Sequence, residues 1–182
     1  MDFKTYDKAI KQVLLWREKT GKKDYEWPDS RDPEFSSLLV DSGVTGQDVE
    51  KALVALTAWR EFRGDQYQGM SACVHVLRNR QAKGQFHSHL QEDVTGKNQF
   101  SSMTVPGDPN LVKYPEEGEF AFEKLLSNLD DILAGKTVDI TQGALYYAVP
   151  QNSTSGWFER NIVENKKEHP MTTSIGRTLF YS

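Results

Sequence analysis

The sequence predicts an α+β fold that is mostly helical and carries a small β-sheet. Apolar stripes recur along the chain at the spacing of amphipathic helices, and each stripe ends at a glycine. A short segment before Pro150 instead alternates its side chains as a β-strand does. With 37% hydrophobic and 11% aromatic residues, the 182-residue chain can bury one substantial core.

The first predicted element is an N-terminal amphipathic helix. Its apolar stripe begins at Phe3 and ends at Gly21, and the proline-containing segment 22–32 has the composition of a linker or loop. Such a stripe can pack on the core, bind a partner protein or touch a surface, and packing is its usual fate. We therefore divide the chain into an N-terminal helical extension with linker, residues 1–44, and a main domain, residues 45–182.

The second predicted helix carries Glu61, a candidate acid catalyst. It starts at Thr45, which has the character of an N-cap with an acidic residue three positions on, and it stops at Gly64. Helical geometry places Glu61 below small apolar residues, with Asp65 on the same face if the last turn extends that far. Because apolar surroundings disfavour the charged form of a carboxyl group, Glu61 can hold the proton that a general acid needs.

The arginines near Glu61 leave an alternative open. Glu61 can simply form an ion pair with Arg60, Arg63 or Arg80, and this segment alone favours that structural role over a catalytic one, because short motifs match by chance. Arg63 and Arg80 can also bridge the acidic residues in a supporting role, which would lower the pKa of the carboxyl group they contact.

Two more helices, a long loop and the strand complete the predicted fold. Helical stripes end near Gly84 and at Gly135, and the polar, proline-containing segment 95–119 lies between them. A loop of this length suits the rim of a substrate cleft. The alternating segment 145–149 should turn one set of side chains to the core and the other to the cleft.

Composition narrows the function classes. The net charge is −4 with no basic run, which argues against a nucleic-acid partner. No apolar stretch approaches the ~20 residues of a membrane span, and Met1 is not followed by the apolar core of a signal peptide. Cys73 lies among apolar residues and reads as a core residue.

Metal and cofactor chemistry find little support. His87, His89 and Glu92 form the one histidine cluster, but its spacing lacks the pattern of an established zinc motif, so a solvated pair near a turn is the simpler interpretation. The sequence also has no glycine-rich phosphate loop and no Gly-x-Ser-x-Gly elbow. We expect neither a metal nor a cofactor.

From residue 52 to the C-terminus, the order of motifs resembles the cell wall hydrolase family typified by the spore-cortex-lytic SleB and CwlJ proteins. The matching blocks are Glu-Phe-Arg-Gly-Asp at 61–65, Leu-Arg-Asn-Arg at 77–80, Gln-Phe-Ser at 99–101, Asp-Ile-Thr-Gln-Gly-Ala-Leu-Tyr-Tyr at 139–147, Trp157, and Ile-Gly-Arg-Thr-Leu-Phe at 175–180. The resemblance implies cleavage of peptidoglycan glycan strands, with Glu61 as the catalytic acid. By fold-level analogy it also implies a lysozyme-like catalytic domain.

The chain departs from the family pattern at two positions. The family histidine of the last block is Thr178 here, so no imidazole is available at this position for a step that needs one. The Thr178 hydroxyl could still orient a sugar by hydrogen bonding. The second acid is Asp65, which is shorter than the usual glutamate. Glu61 itself is unchanged.

The resemblance also assigns substrate-binding candidates. Tyr146 and Trp157 can stack on sugar rings, although aromatic residues also fill cores. Gln99, in the same turn as Phe100, can hydrogen-bond the substrate or brace the loop, and Thr178 completes the set.

Two reactions remain open for a glycan-cleaving Glu61. The resemblance favours a lytic transglycosylase, in which Glu61 acts as acid and then as base and a 1,6-anhydro ring closes. A muramidase would instead use Asp65 as the second carboxylate. A third possibility is a non-catalytic protein that binds the wall or builds a virion.

The setting follows by elimination. A wall-degrading chain without an export signal suggests a phage endolysin or virion-associated lysin released by a holin or delivered with the virion, or a secretion-system effector. A phage or secretion-system partner could then bind through the N-terminal helix.

Overall fold

The computed structural model describes residues 1–97, 99–149 and 156–182, except for the side chain of Trp157. It confirms an α+β fold that is mostly helical with one small sheet. The helices are α1 (Phe3–Thr20), α2 (Pro33–Leu39), α3 (Gly46–Phe62), α4 (Gln66–Lys83), α5 (Leu90–Thr95), α6 (Ser101–Thr104), α7 (Phe120–Leu133) and the short α8 (Gly156–Phe158), which continues as a π-helical turn (Glu159–Val163).

Helix α3 is the central element of the fold. A capping box holds its start, since the Thr45 hydroxyl accepts from the Asp48 amide and the Asp48 carboxylate accepts from the Thr45 amide. Residues on every side of α3 are buried, because α1, α4, α5 and α7 all pack against it. A helix enclosed in this way needs small and apolar residues on all sides, and most residues of α3 are of these types.

Helix α1 forms as predicted, and its apolar stripe packs on the core. Asp2 caps its first turn, and Gly21, with φ +68°, ends it in the left-handed conformation. Tyr6 is buried and meets Phe122 of α7 edge to face, with 4.9 Å between ring centroids. Residues of the extension and of the main domain therefore share one hydrophobic cluster.

The junction between α3 and α4 departs in detail from the sequence expectation. Helix α3 ends at Phe62, and Arg63–Asp65 form a separate 3-10 turn. Gln66 then adopts φ +56° and starts α4. Because the α-helix ends before the predicted stop at Gly64, its last turn does not reach Asp65.

The predicted strand forms and joins a C-terminal hairpin. Strands β1 (Tyr146–Ala148), β2 (Met171–Ile175) and β3 (Thr178–Tyr181) make an antiparallel sheet in the order β1-β3-β2. Tyr147 of β1 lies opposite Phe180, on the face that packs against α4. Tyr146 lies opposite Tyr181, on the face that packs against Ile162.

Short helices adjoin or interrupt the two predicted loops. Segment 22–32 has no helix or strand, but α2 follows it directly and completes the extension. Loop 95–119 contains the single turn of α6. Within the described ranges, no helix combines the length and hydropathy that crossing a membrane would require.

Candidate active site

Glu61 lies in the last turn of α3, where two hydroxyl groups contact its carboxyl group. The Ser102 hydroxyl donates to Oε1 over 2.5 Å, and the Tyr147 phenol donates to Oε2 over 3.1 Å. Ser102 belongs to α6 in the long loop and Tyr147 to β1, so three separate elements meet at this carboxyl group. Glu61 is only half-buried, which leaves part of it accessible.

The surroundings raise the pKa of Glu61 above its ordinary value. Burial is the largest cause, and the negative charge of Asp108 adds to it. The hydrogen bonds from Ser102 and Tyr147 and the positive charge of Arg60 oppose this rise, because each favours the charged form. A carboxyl group with a raised pKa and an accessible edge is suited to donating a proton.

Tyr147 reaches Glu61 because strand alternation turns it to the α4 face of the sheet. Its ring packs on Phe62, with 4.8 Å between centroids, and on Phe180 at 6.2 Å. Burial, and then the neighbouring Glu61 carboxylate, raise the pKa of the Tyr147 phenol well above its usual value. The raised pKa keeps the Tyr147 phenol protonated, so it can donate to the Glu61 carboxylate.

Ser102 is held in place by Arg60, the residue next to Glu61 in the chain. The Arg60 guanidinium is buried and donates to the carbonyl oxygens of Ser102 (2.9 Å), Leu111 (2.7 Å) and Lys113 (3.2 Å). One helix end thus carries both the acid and the clamp for the loop that contacts the acid. Such multiple donation offsets the cost of burying a guanidinium.

No arginine among the described residues forms an ion pair with Glu61. Arg63 donates to the Asn110 side chain over 2.9 Å and lies over the Trp59 ring at 4.7 Å. Arg80 donates from Nε to the carbonyl oxygen of Leu145 over 2.8 Å, which anchors the residue before β1. These two arginines support the loop and the strand, and neither bridges the acidic residues Glu61 and Asp65 within the described ranges.

Asp65 lies against the turn of the β2–β3 hairpin. A Cβ atom on Gly176 would lie 2.8 Å from Asp65 Oδ1, and one on Gly69 would lie 2.4 Å from Asp65 Cβ. Only glycines allow this close approach. Asp65 has no hydrogen bond to Glu61 within the described residues, and the acidic neighbour that raises the Glu61 pKa is Asp108.

Tyr146 points away from Glu61 and lines a different pocket. Its ring stacks edge to face with His169 at 5.1 Å and lies near Phe86 at 5.9 Å. Together with Asn79 and Lys83 it borders an open cavity of about 470 Å³. This space can take a sugar ring, but Glu61 is not among the residues that line it.

The remaining predicted substrate contacts lie at different depths. Gln99 is half-buried at the start of the loop, where its backbone N–H donates to the carbonyl oxygen of Gly96 over 3.2 Å. Phe100 is 3% exposed and belongs to the hydrophobic core. Thr178 is 1% exposed, and its hydroxyl finds no hydrogen-bond partner among the described residues. The Trp157 side chain lies outside the described residues.

Two of the histidines lie beside carboxylates. His87 Nδ1 lies 3.0 Å from the carboxylate of the fully buried Asp93, while Glu92 pairs with Arg31 at 2.8 Å. His75 lies 3.6 Å from Asp139. Within the described parts of the chain, no group of three or more histidine, cysteine or acidic side chains is arranged to hold a metal ion.

Sequence reasoning did not identify Ser102 or Tyr147 as site residues. Ser102 follows the Gln-Phe-Ser block by one position, and Tyr147 is the second tyrosine of the Tyr-Tyr pair. Strand alternation showed that one of the two tyrosines faces inward, yet only the pairing of β1 with β3 identifies which one.

The fold and the site together describe a mostly helical protein in which a half-buried carboxyl group with a raised pKa lies in the last turn of the central helix. The family model described as Cell Wall Hydrolase matches residues 64–181, well over half of the chain, and the chain belongs to that family. No curated protein and no solved structure matched the chain. The match supports an enzyme that degrades peptidoglycan, and it begins just after Glu61, so the role of Glu61 rests on its geometry.

Proposed function

We propose that this cell wall hydrolase is a lytic transglycosylase that cleaves between N-acetylmuramic acid and N-acetylglucosamine, with Glu61 as general acid and then base. The observation that carries the proposal is the Glu61 carboxyl group itself. It is half-buried, its pKa is raised by burial, two hydroxyl groups donate to it, and no described residue forms an ion pair with it. An acid held in this way can donate a proton and then take one back.

The proposed reaction keeps protons and electrons in balance. Protonated Glu61 donates its proton to the glycosidic oxygen, the bond from the muramic acid C1 to that oxygen breaks, and the electron pair leaves with the N-acetylglucosamine hydroxyl. Positive charge develops at C1. The Glu61 carboxylate then removes the proton from the muramic acid 6-hydroxyl as O6 bonds to C1, which closes the 1,6-anhydro ring and returns Glu61 to its protonated form.

Ser102 and Tyr147 suit both halves of this cycle. A hydroxyl can donate to a carboxylate or rotate to accept from a carboxylic acid, so both residues can follow the change in charge on Glu61. Their donation stabilises the carboxylate that forms in the first half-reaction, when the proton leaves Glu61, and that acts as the base in the second. Their two bonds also hold the plane of the carboxyl group while the substrate contacts its remaining lone pairs.

A hydrolytic reaction needs a second carboxylate near the sugar. Asp65 is the candidate from the sequence, but it lies against Gly176 and forms no hydrogen bond with Glu61 in the described part of the chain. Retaining and inverting glycosidases hold their carboxyl pairs about 5–5.5 Å and about 6.5–9.5 Å apart. We rank the transglycosylase above the muramidase because the resemblance to the cell wall hydrolase family favours closure of the anhydro ring.

The test is digestion of purified sacculi by the wild-type chain and by Glu61→Gln, with muropeptides identified by mass spectrometry. The proposal expects 1,6-anhydro ends from the wild type and their loss in the variant. Hydrated reducing ends would overturn the transglycosylase and direct attention to Asp65. Release of no products by either protein would favour a wall-binding or virion structural role.

Two controls keep this test interpretable. Glu18→Gln makes the same chemical change at an exposed position of α1 and should leave activity unchanged. Glu61→Gln should fold at least as well as the wild type. Because the folded-state pKa of Glu61 is raised, its contribution to stability is greatest at low pH and declines as pH rises through that pKa. An uncharged amide avoids this loss, so a normal thermal melt is expected.

The biological setting is part of the proposal as a hypothesis: a phage endolysin or virion-associated lysin, or a secretion-system effector. The apolar stripe of α1 already packs on Phe122, so a delivery partner would bind the outer surface of this helix, where Leu14 is 40% exposed. Expression in cells with and without a holin tests the route. Lysis that requires the holin supports an endolysin, and lysis without it argues against that route.

A further inference from the structure

The segment that precedes α2 is anchored by hydrogen bonds to α1 at one end and to α5 of the main domain at the other. Arg17 of α1 donates to the carbonyl oxygens of Asp24 (2.6 Å) and Glu26 (2.8 Å). Gln91 of α5 accepts from the Ser30 amide over 3.0 Å and donates to a carbonyl oxygen of the same segment. A segment bonded at both ends holds the residues between them in one place.

Trp27 lies between these two anchor points and contacts the loop that carries Ser102. Its indole N–H donates to the carbonyl oxygen of Met103 over 2.7 Å. The Arg17 guanidinium lies 4.0 Å from the centre of the Trp27 ring and Arg60 lies 5.5 Å from it. Cations over an indole ring are attracted by its negative face, which further restrains the ring.

Met103 is the residue after Ser102, so the indole bond acts one residue away from the hydroxyl that contacts Glu61. Arg60 holds the other side of this turn through the carbonyl oxygen of Ser102 at 2.9 Å. The Ser102 hydroxyl is then aimed at Glu61 Oε1 at 2.5 Å. A shift of this turn would therefore move the Ser102 hydroxyl relative to the Glu61 carboxyl group.

We propose that Trp27 is a positioning residue for Glu61, acting through Met103 and Ser102. The inference rests on the proposed role of Glu61 as the acid. Trp27 lies outside the residues 64–181 that the family model matches, so this chain uses its N-terminal extension to build part of the active site. The extension thereby gains a function in catalysis besides any role in delivery.

Several other charged and titratable groups lie near Glu61 and act on its pKa or respond to its charge. They are Arg60 on α3, Cys73 on α4, Asp108 in the loop and Tyr147 on β1. Replacement of Trp27 by phenylalanine keeps a ring for the two arginines and removes only the donor to Met103. The expected effect on Glu61 is therefore a weaker contact from Ser102 and, because that contact favours the carboxylate, a higher pKa.

The experiment compares Trp27→Phe with Trp16→Phe in the full chain. Trp16 meets Phe35 edge to face at 6.4 Å and no donation from its indole is found among the described contacts, which makes it a matched control. With soluble glycan strands, Trp27→Phe should lower kcat by about three- to tenfold, the size of one lost hydrogen bond, with KM unchanged. The alkaline limb of the pH–rate profile should move to higher pH. Trp16→Phe should change neither.

A double-mutant cycle separates positioning from a general loss of stability. If Trp27 acts through Ser102, Trp27→Phe should have no further effect on the alkaline limb in a Ser102→Ala background. Equal effects in both backgrounds, or a Trp27→Phe variant that melts earlier but keeps the wild-type rate and pH profile, would overturn the proposal.

Titration of Glu61 by carbon NMR provides a readout that needs no turnover. Trp27→Phe should raise the midpoint of the Glu61 carboxyl titration relative to the wild type and Trp16→Phe. A raised midpoint without any activity in the wild type would reject the proposed function and keep the coupling between Trp27 and Glu61. An unchanged midpoint in an active enzyme would reject the coupling alone.

Discussion

Tyr147→Phe isolates one of the two hydrogen bonds to the candidate catalytic acid. The substitution removes the phenolic hydroxyl group that donates to Glu61 Oε2 over 3.1 Å. It keeps the ring that packs on Phe62 and Phe180. The predicted consequence therefore falls on the protonation of Glu61 and leaves the packing of β1 in place.

The geometry sets the size of the effect. An O–H···O bond is typically about 2.7–2.8 Å long, so the Tyr147 bond belongs at the weak end of the roughly 1.5–3 kcal/mol found for bonds to charged groups. Removing about 1.4 kcal/mol from the charged form changes the protonation equilibrium about tenfold. Of the two hydroxyl groups, Ser102 lowers the Glu61 pKa more than Tyr147 does, so Ser102→Ala should have the larger effect.

The direction follows from the role of Glu61 as an acid. Cleavage requires protonated Glu61, so activity falls as pH rises through its pKa. Hydrogen bonds to the carboxylate lower that pKa, and their removal raises it. Tyr147→Phe should consequently move the alkaline limb of the kcat/KM profile upward by about one pH unit.

The assay is the initial rate of muropeptide release from solubilised glycan strands between pH 4 and pH 9 or so, with thermal melts at each pH as a check on folding. Tyr67→Phe is the control, since this half-buried tyrosine interacts with Lys124 and not with Glu61. An alkaline limb that stays in place, or moves to lower pH, in a folded Tyr147→Phe enzyme would refute the assignment of Glu61 as the acid restrained by Tyr147.

Two further predictions concern stability. Thr178→Val should stabilise the fold by about 1 kcal/mol in chemical denaturation, because it removes a buried hydroxyl without a described partner, and it should not change the rate of cleavage. The control is Thr57→Val, which should give no gain in stability because the Thr57 hydroxyl donates to the carbonyl oxygen of Leu53 over 2.8 Å. Equal results for the two variants would contradict this account. Gly176→Ala should destabilise the fold by about 1–3 kcal/mol, because the φ of Gly176 is +58° and the new Cβ meets Asp65. Gly84→Ala, at φ +65° in open space, should cost less. A melting temperature of Gly176→Ala no lower than that of Gly84→Ala would rule out the contact with Asp65.

The helices and their ends were predictable because they depend on local chemistry. The capping box at Thr45 and the glycine stops of α1, α4 and α7 involve residues only a few positions apart. The end of α3 was predicted less well. The chain leaves the α-helix at Phe62 and turns through Arg63–Asp65, and Asp65 packs against a hairpin that is more than a hundred residues away in sequence.

The placement of the tyrosines illustrates the limit of strand patterns. Alternation predicts that Tyr146 and Tyr147 face opposite sides, but it does not say which side holds the acid. The register of β1 with β3 turns Tyr147 toward α4 and Glu61, and it turns Tyr146 toward His169. Similarly, burial of Phe100 and Thr178 depends on what packs over them.

The sequence by itself indicated the α+β class, the main helices with most of their ends, the cell wall hydrolase family and the candidate acid Glu61, because periodicity, caps and motif order depend on residues close together in the chain. Only the tertiary structure brought Ser102 and Tyr147, which are 41 and 86 positions away in the chain, to the two oxygens of Glu61. Such contacts depend on how helices and strands pack, and the spacing of residues along the chain does not encode them directly.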